Sequence, residues 1–158
     1  MKTLSRLLIG ALMIAPIVAA ETPGFALWKA SELQRRIAAL SGNVGADHSS
    51  RETLADYGDH RFRLLYRDAD GNPEQHDAII DIVMVQSGEG TLVLGGKMLG
   101  QRAGSGAGEY VGTSIEGGER HPLGPGDVLQ IPARIPHAFL VARGKHVAYV
   151  LLKIPAVP

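Results

Sequence analysis

Apolar and polar positions along this chain change period more than once, and the changes mark its elements. Between Ser31 and Ser41 the apolar residues Leu33, Ile37 and Leu40 recur at helical spacing, ahead of Gly42. The segment predicts one short amphipathic helix, over about 31–41, that packs its apolar stripe on the rest of the fold. Ser31-Glu32-Leu33-Gln34 reads as a capping box opening it. Asn43 to Asp59 shows little periodicity and reads as loop with at most a short strand or turn.

From Arg61 onward the period is two. Phe62, Leu64 and Tyr66 alternate with Arg61, Arg63 and Arg67, which predicts a half-buried strand, and Asp68-Ala69-Asp70-Gly71-Asn72-Pro73 ends it in a turn. Asp81 to Gln86 reads as a strand closed by Gly88-Glu89-Gly90, and Thr91 to Leu94 as another before Gly95-Gly96. Gly100 to Gly108 is rich in glycine and small residues. With the extended stretch Glu109 to Ile115 it predicts a hairpin with a loose tip, either a lid or a plain loop. Gly124-Pro125-Gly126-Asp127 is a turn, Val128 to Ile131 a strand and Pro132 to Pro136 a rigid bend. His137 to Val141 and a β-rich run from His146 to Ile154 follow, either side of Arg143-Gly144-Lys145. Nine or ten short strands with one helix and no repeat predict a single all-β domain, a sandwich or barrel, over residues 21–158 with its barrel core at about 60–154.

Composition agrees: 20 glycines and 9 prolines among 158 residues favour short elements and tight turns. The first twenty residues read as a secretory signal, with Lys2 and Arg6 ahead of the apolar stretch Leu7 to Val18 and a cleavage site after Ala20. The mature chain is therefore expected in the periplasm or outside the cell, with no lasting membrane insertion. There is no cysteine, which excludes disulfides, thiolate ligands and a lipoprotein anchor. The chain holds 16 basic and 16 acidic residues; without Lys2 and Arg6 the balance is 14 against 16, a net of −2. No basic stripe stands out, so nucleic acid is not expected as a partner. Hydrolase elbows, phosphate loops and dinucleotide fingerprints are absent.

The chemistry concentrates in two places. Gly126-Asp127-Val128-Leu129-Gln130-Ile131-Pro132-Ala133-Arg134-Ile135-Pro136-His137 resembles the second cupin motif, in which a glycine-acid turn leads through a strand to a proline bend and a histidine. Glu74 to Gly88 resembles the first cupin motif: His76 falls on its second histidine, Asp81 on its acid and Gly88 on its glycine, while Glu74 stands at the first histidine. The resemblance spans about half of the chain. It implies a small antiparallel β-barrel or jelly roll, pairing of two barrels into a homodimer, and a divalent metal (Mn, Fe, Zn or Ni) held by Glu74, His76, Asp81 and His137. The physical argument agrees. Positions 74 and 76 share a strand face, and Asp81 begins the next strand. Two imidazoles with carboxylates suit such metals while leaving positions open for substrate or water.

Two classes of function follow. One is a metal-dependent enzyme (oxygenase, isomerase or lyase) acting on a small molecule; the other is a non-catalytic periplasmic barrel that binds or senses one, the same polar residues serving as hydrogen-bond partners. His48, His60, His121 and His146 read as surface or structural residues and Trp28 as packing. Tyr66, Phe139 and Gln130 are candidates for the pocket lining, and Lys153 reads as solvated.

Overall fold

Thirteen strands and one helix are present in the computed structural model of the chain, which describes residues 22–157. The apolar stretch Leu7 to Val18 and the cleavage site after Ala20 lie outside them. The elements are α1 (Ala30–Ser41), β1 (Ser49–Asp56), β2 (Arg61–Arg67), β3 (Glu74–His76), β4 (Ile79–Gly88), β5 (Gly90–Leu94), β6 (Lys97–Leu99), β7 (Arg102–Ala103), β8 (Glu109–Val111), β9 (Ser114–Glu116), β10 (Glu119–Leu123), β11 (Val128–Ile131), β12 (His137–Leu140) and β13 (Val147–Pro155). One sheet has the order β1-β2-β13-β4-β11 and a second β10-β5-β12-β3-β8-β7, while β6 and β9 form a separate ribbon. All pairings are antiparallel. The two sheets stack face to face as the walls of a barrel, as the sequence led us to expect.

Side-chain parity divides the apolar residues between two layers. Leu65, Val83, Val85, Tyr149 and Leu151 point inward from the first sheet and meet Leu92 and Phe139 of the second. Residues one position along, Leu64, Ala148 and Val150, point the other way and pack under Leu33 and Ile37 of α1. The first sheet is thus buried on both faces, and the helix is what covers its outer one. Burying a leucine fully contributes roughly 2 kcal/mol.

Two expectations are corrected here, one on β1 and one at the start of the helix. Residues Ser49–Asp56 form a full eight-residue strand where a loop was expected. Its inner face borders a polar cavity, so the usual alternation of apolar and polar residues is missing. On β2 the expected strand is present, and its alternation resolves into Phe62, Leu64 and Tyr66 facing the helix and the arginines facing the barrel interior. The expected capping box does not form either: the N-cap is Lys29, without a side-chain cap, and Glu32 instead pairs with Arg36 one turn on, at 2.7 Å.

The glycine-rich stretch forms a hairpin, with β7 and β8 paired around residues 104–108. β10, a strand the sequence pattern left unmarked, lies at a sheet edge, where a proline such as Pro122 is tolerated. Gly88 ends β4 at φ 74, and a Cβ there would stand 2.0 Å from the His146 carbonyl oxygen, so the turn into β5 admits no side chain.

Candidate metal centre

Three short elements bring the histidines together. β3 carries Glu74 and His76, β12 begins at His137, and the pairing sets His137 opposite Glu74. The bend before β12 is tied down by the Arg134 backbone N–H, which donates to the His76 carbonyl at 2.7 Å. Arg134 adopts φ 66 to do so, a left-handed conformation that ordinarily favours glycine. As a result the His76 and His137 rings lie 5.4 Å apart.

Glu74, His76 and His137 each offer a ligand atom, all within 4.8 Å of one another. His76 and His137 are buried, whereas the Glu74 side chain is 45% exposed. The ring nitrogens are set by their partners. His137 Nδ1 lies 3.1 Å from the Ile135 carbonyl oxygen, which can only accept, so Nδ1 holds the proton and Nε2 keeps a lone pair. This orientation by a backbone carbonyl is the one that imidazole metal ligands use. Burial pushes the His137 imidazole below its ordinary pKa, partly offset by the Ile135 carbonyl and the Asp81 charge, and favours this neutral form.

Asp81, on β4, is buried at the same end of the barrel, 3.4 Å from His76 Nε2 and 3.7 Å from His137 Nε2. Its carboxylate is engaged by Lys153 of β13, whose ammonium lies 2.9 and 3.1 Å from the two oxygens. The same ammonium donates to His76 Nε2 at 2.8 Å. Lys153 is therefore not the solvated residue its sequence position implied: its side chain is 17% exposed and it sits in the centre. Burial pushes the Asp81 carboxyl up, but the neighbouring His76 and the charge of Lys153 outweigh it and hold the group below the ordinary carboxylate range.

Because Lys153 donates to Nε2, His76 carries its ring proton on Nδ1, which is buried without a hydrogen-bond partner, 3.7 Å from a Glu109 oxygen. The donor set fits a divalent ion: two imidazoles with unprotonated Nε2 atoms and one carboxylate, all of them nitrogen or oxygen ligands. Lys153 and an ion draw on the same His76 lone pair.

The centre opens into a cavity of about 700 Å³ between the β1–β2 side of one sheet and the β3–β8–β7 side of the other. Phe139 lines it and stacks on Tyr149 at 4.8 Å. Tyr66 lies instead on the helix side, stacked on His146 at 5.2 Å, and Gln130 is exposed. His60, expected at the surface or in a structural role, stands in the cavity wall beside Tyr57. Trp28 packs on Phe62. His48 and His121 sit at the surface near Asp68 and Glu119.

No protein-family model and no curated protein matches the chain. Solved structures do. The protein TT1209 from Thermus thermophilus is similar over 78% of this chain and 95% of its own, with a TM-score of 0.55 and 13% identity. Pac13, a nucleoside dehydratase from Streptomyces, is similar over 72% of this chain and 75% of its own, with a TM-score of 0.51 and 12% identity. A cupin 2 conserved barrel domain protein from Rhodopseudomonas palustris is similar over 70% of this chain and 66% of its own, with a TM-score of 0.48 and 20% identity. At these identities the likeness is one of fold alone, a small β-barrel. No helix among the described residues is long and apolar enough to cross a membrane.

Proposed function

We propose that the chain is an exported metal-dependent enzyme that acts on a small molecule held in the barrel cavity. The observation that carries this reading is the convergence of donor atoms from Glu74, His76 and His137 within 4.8 Å, at a cavity large enough for a metabolite-sized ligand. These three residues would hold the ion, and Asp81 serves as counter-ion to Lys153. A bound divalent metal would supply a Lewis acid, or an oxygen-activating centre if it is iron. The chain's own groups add a hydrogen-bond donor at the centre: Lys153 Nζ stands 2.8 Å from His76 Nε2 and 2.9 Å from Asp81. Such a site suits isomerase, lyase or oxygenase reactions.

A second reading, a metal-free binding barrel, is favoured by Lys153 itself, whose ammonium already supplies a cation to His76 and Asp81. Elemental analysis separates the two. The mature protein, purified without chelator or affinity-tag metal, is expected to hold one equivalent of a transition metal, and the His137→Ala variant to lose it. Metal-free protein that is folded in both forms would contradict the enzyme reading and support the binding barrel.

A further inference from the structure

The inner face of β2 carries charge for which the metal centre has no use. Arg61, Arg63 and Arg67 all line the cavity, because the strand's apolar alternate positions are committed to the helix. Their partners differ. Arg61 is matched by Asp56 at 2.7 Å, and Arg51, on the neighbouring strand, by Asp47 at 3.2 Å. Arg63 and Arg67 pair with no carboxylate among the described residues. Arg67 Nε is buried and has no hydrogen-bond partner; Arg61 Nε has none of hydrogen-bonding geometry either, but it has the Asp56 charge beside it.

Arg67 also lies against the buried Tyr149 hydroxyl, but among the described residues neither guanidinium has a paired counter-charge, and such a group in a cavity wall loses hydration without full return unless an anion meets it. The planar fork of donors matches a carboxylate or a phosphate.

Gly71 fixes where the Arg67 fork lies. A Cβ on Gly71 would stand 2.7 Å from Arg67 Nη1 and 2.8 Å from Cζ, yet Gly71 does not adopt a positive φ. What the position requires is therefore room for the guanidinium. The Gly71 N–H donates to the Phe139 carbonyl at 2.8 Å and holds this cradle against β12, the strand that His137 opens. The other cavity acids are occupied or stand elsewhere: Asp59 lies beside His60, Asp81 beside Lys153, and Glu74 and Glu109 flank His76.

We propose that Arg63 and Arg67 grip an anionic group, a carboxylate or a phosphate, on the small molecule whose reacting part lies at Glu74, His76 and His137. This names the substrate class of the proposed enzyme and rests on the reading of the cavity as its site. Calorimetric titration of the mature protein with succinate, with inorganic phosphate and separately with Mn(II) tests it, beside Arg63→Gln, Arg67→Gln and Gly71→Ala. At least one of the two anions binds the wild-type protein, and which one binds identifies the group. Each arginine variant weakens that binding about tenfold or more, the loss expected for hydrogen bonds to a charged partner. Gly71→Ala weakens it too while keeping every charge, since it meets only the mobile end of Arg67 and leaves the fold intact, as the thermal transition verifies. Mn(II) affinity stays within about threefold in all three variants, less than the loss of one charged hydrogen bond would produce. Absence of anion binding in the wild-type protein, or unchanged affinity in the variants, overturns the proposal. Arginine-dependent anion binding without any Mn(II) binding would leave it standing and remove the metal instead.

Discussion

Lys153 shows how far a side chain's surroundings can depart from its sequence context. Its neighbours in the chain are apolar, and it sits near the C-terminus, where a solvated head is the usual expectation. Register explains its place: Lys153 faces Arg61 on one side and Asp81 on the other, and Asp56 faces Arg61 in turn, so four strands build one charged row across the sheet. Spacing along the chain brought Glu74, His76 and Asp81 into view because they lie within eight positions, and the proline bend marked His137. Lys153 stands 72 positions from Asp81 and leaves no local pattern. Removing it should expose the cost of the buried carboxylate. Lys153→Met is expected to lower stability by about 3 kcal/mol, and adding Asp81→Asn to recover most of it, both read from chemical denaturation. A cost well under about 1 kcal/mol would mean that Asp81 does not depend on Lys153.

The two perturbed groups of the centre also set a pH dependence in the metal-free protein. The folded Asp81 carboxyl titrates below its unfolded value of about 3.9, so its contribution is complete above that pH and is lost as the pH falls further. The folded His137 imidazole titrates below its unfolded value of about 6.5, so the unfolded chain takes up a proton first and stability declines as the pH drops from there. The denaturation midpoint is expected to be level above pH about 7 and to fall in two stages on acidification. His137→Gln should remove the upper stage alone; a profile unchanged by that substitution would contradict the assignment.

Among elements, the legible ones were those whose period matched their surroundings. Val128–Ile131 and the proline bend follow the expectation, as does the helix over Ala30–Ser41, because each buries an apolar face and meets a clear turn. β1 did not, because this barrel has a polar interior on the side of its cavity, and on β2 the strand was legible but not its inward face. A period-two pattern gives two faces and does not say which points inward. Only α1, which covers the outer face, decides it.

The bend before His137 carries an element-scale prediction. Arg134 is exposed and holds a left-handed backbone that L-residues adopt at a cost of roughly 1–2 kcal/mol. Arg134→Gly should therefore raise stability by about 1 kcal/mol, measured by thermal unfolding, while metal stoichiometry is unchanged. Destabilisation instead would mean that the Arg134 side chain itself supports the bend.

For the molecule as a whole, stacking two sheets under one helix gives a barrel with an apolar half and a polar half. Val83, Val85 and Leu92 belong to the first, the cluster of His76 and His137 and the β2 arginines border the second, and Phe139 and Tyr149 stand where the two meet. The sequence made the fold class legible through its turn spacing and two motifs. It hid the polar half, whose lining comes from strands that meet only after folding. The central claim, that Glu74, His76 and His137 form a metal centre at the end of that half, is tested most directly by anomalous diffraction from crystals grown with Mn(II). The account predicts one strong anomalous peak bounded by Glu74, His76 and His137. No peak there, with Lys153 still bonded to His76 in the crystal, would contradict it.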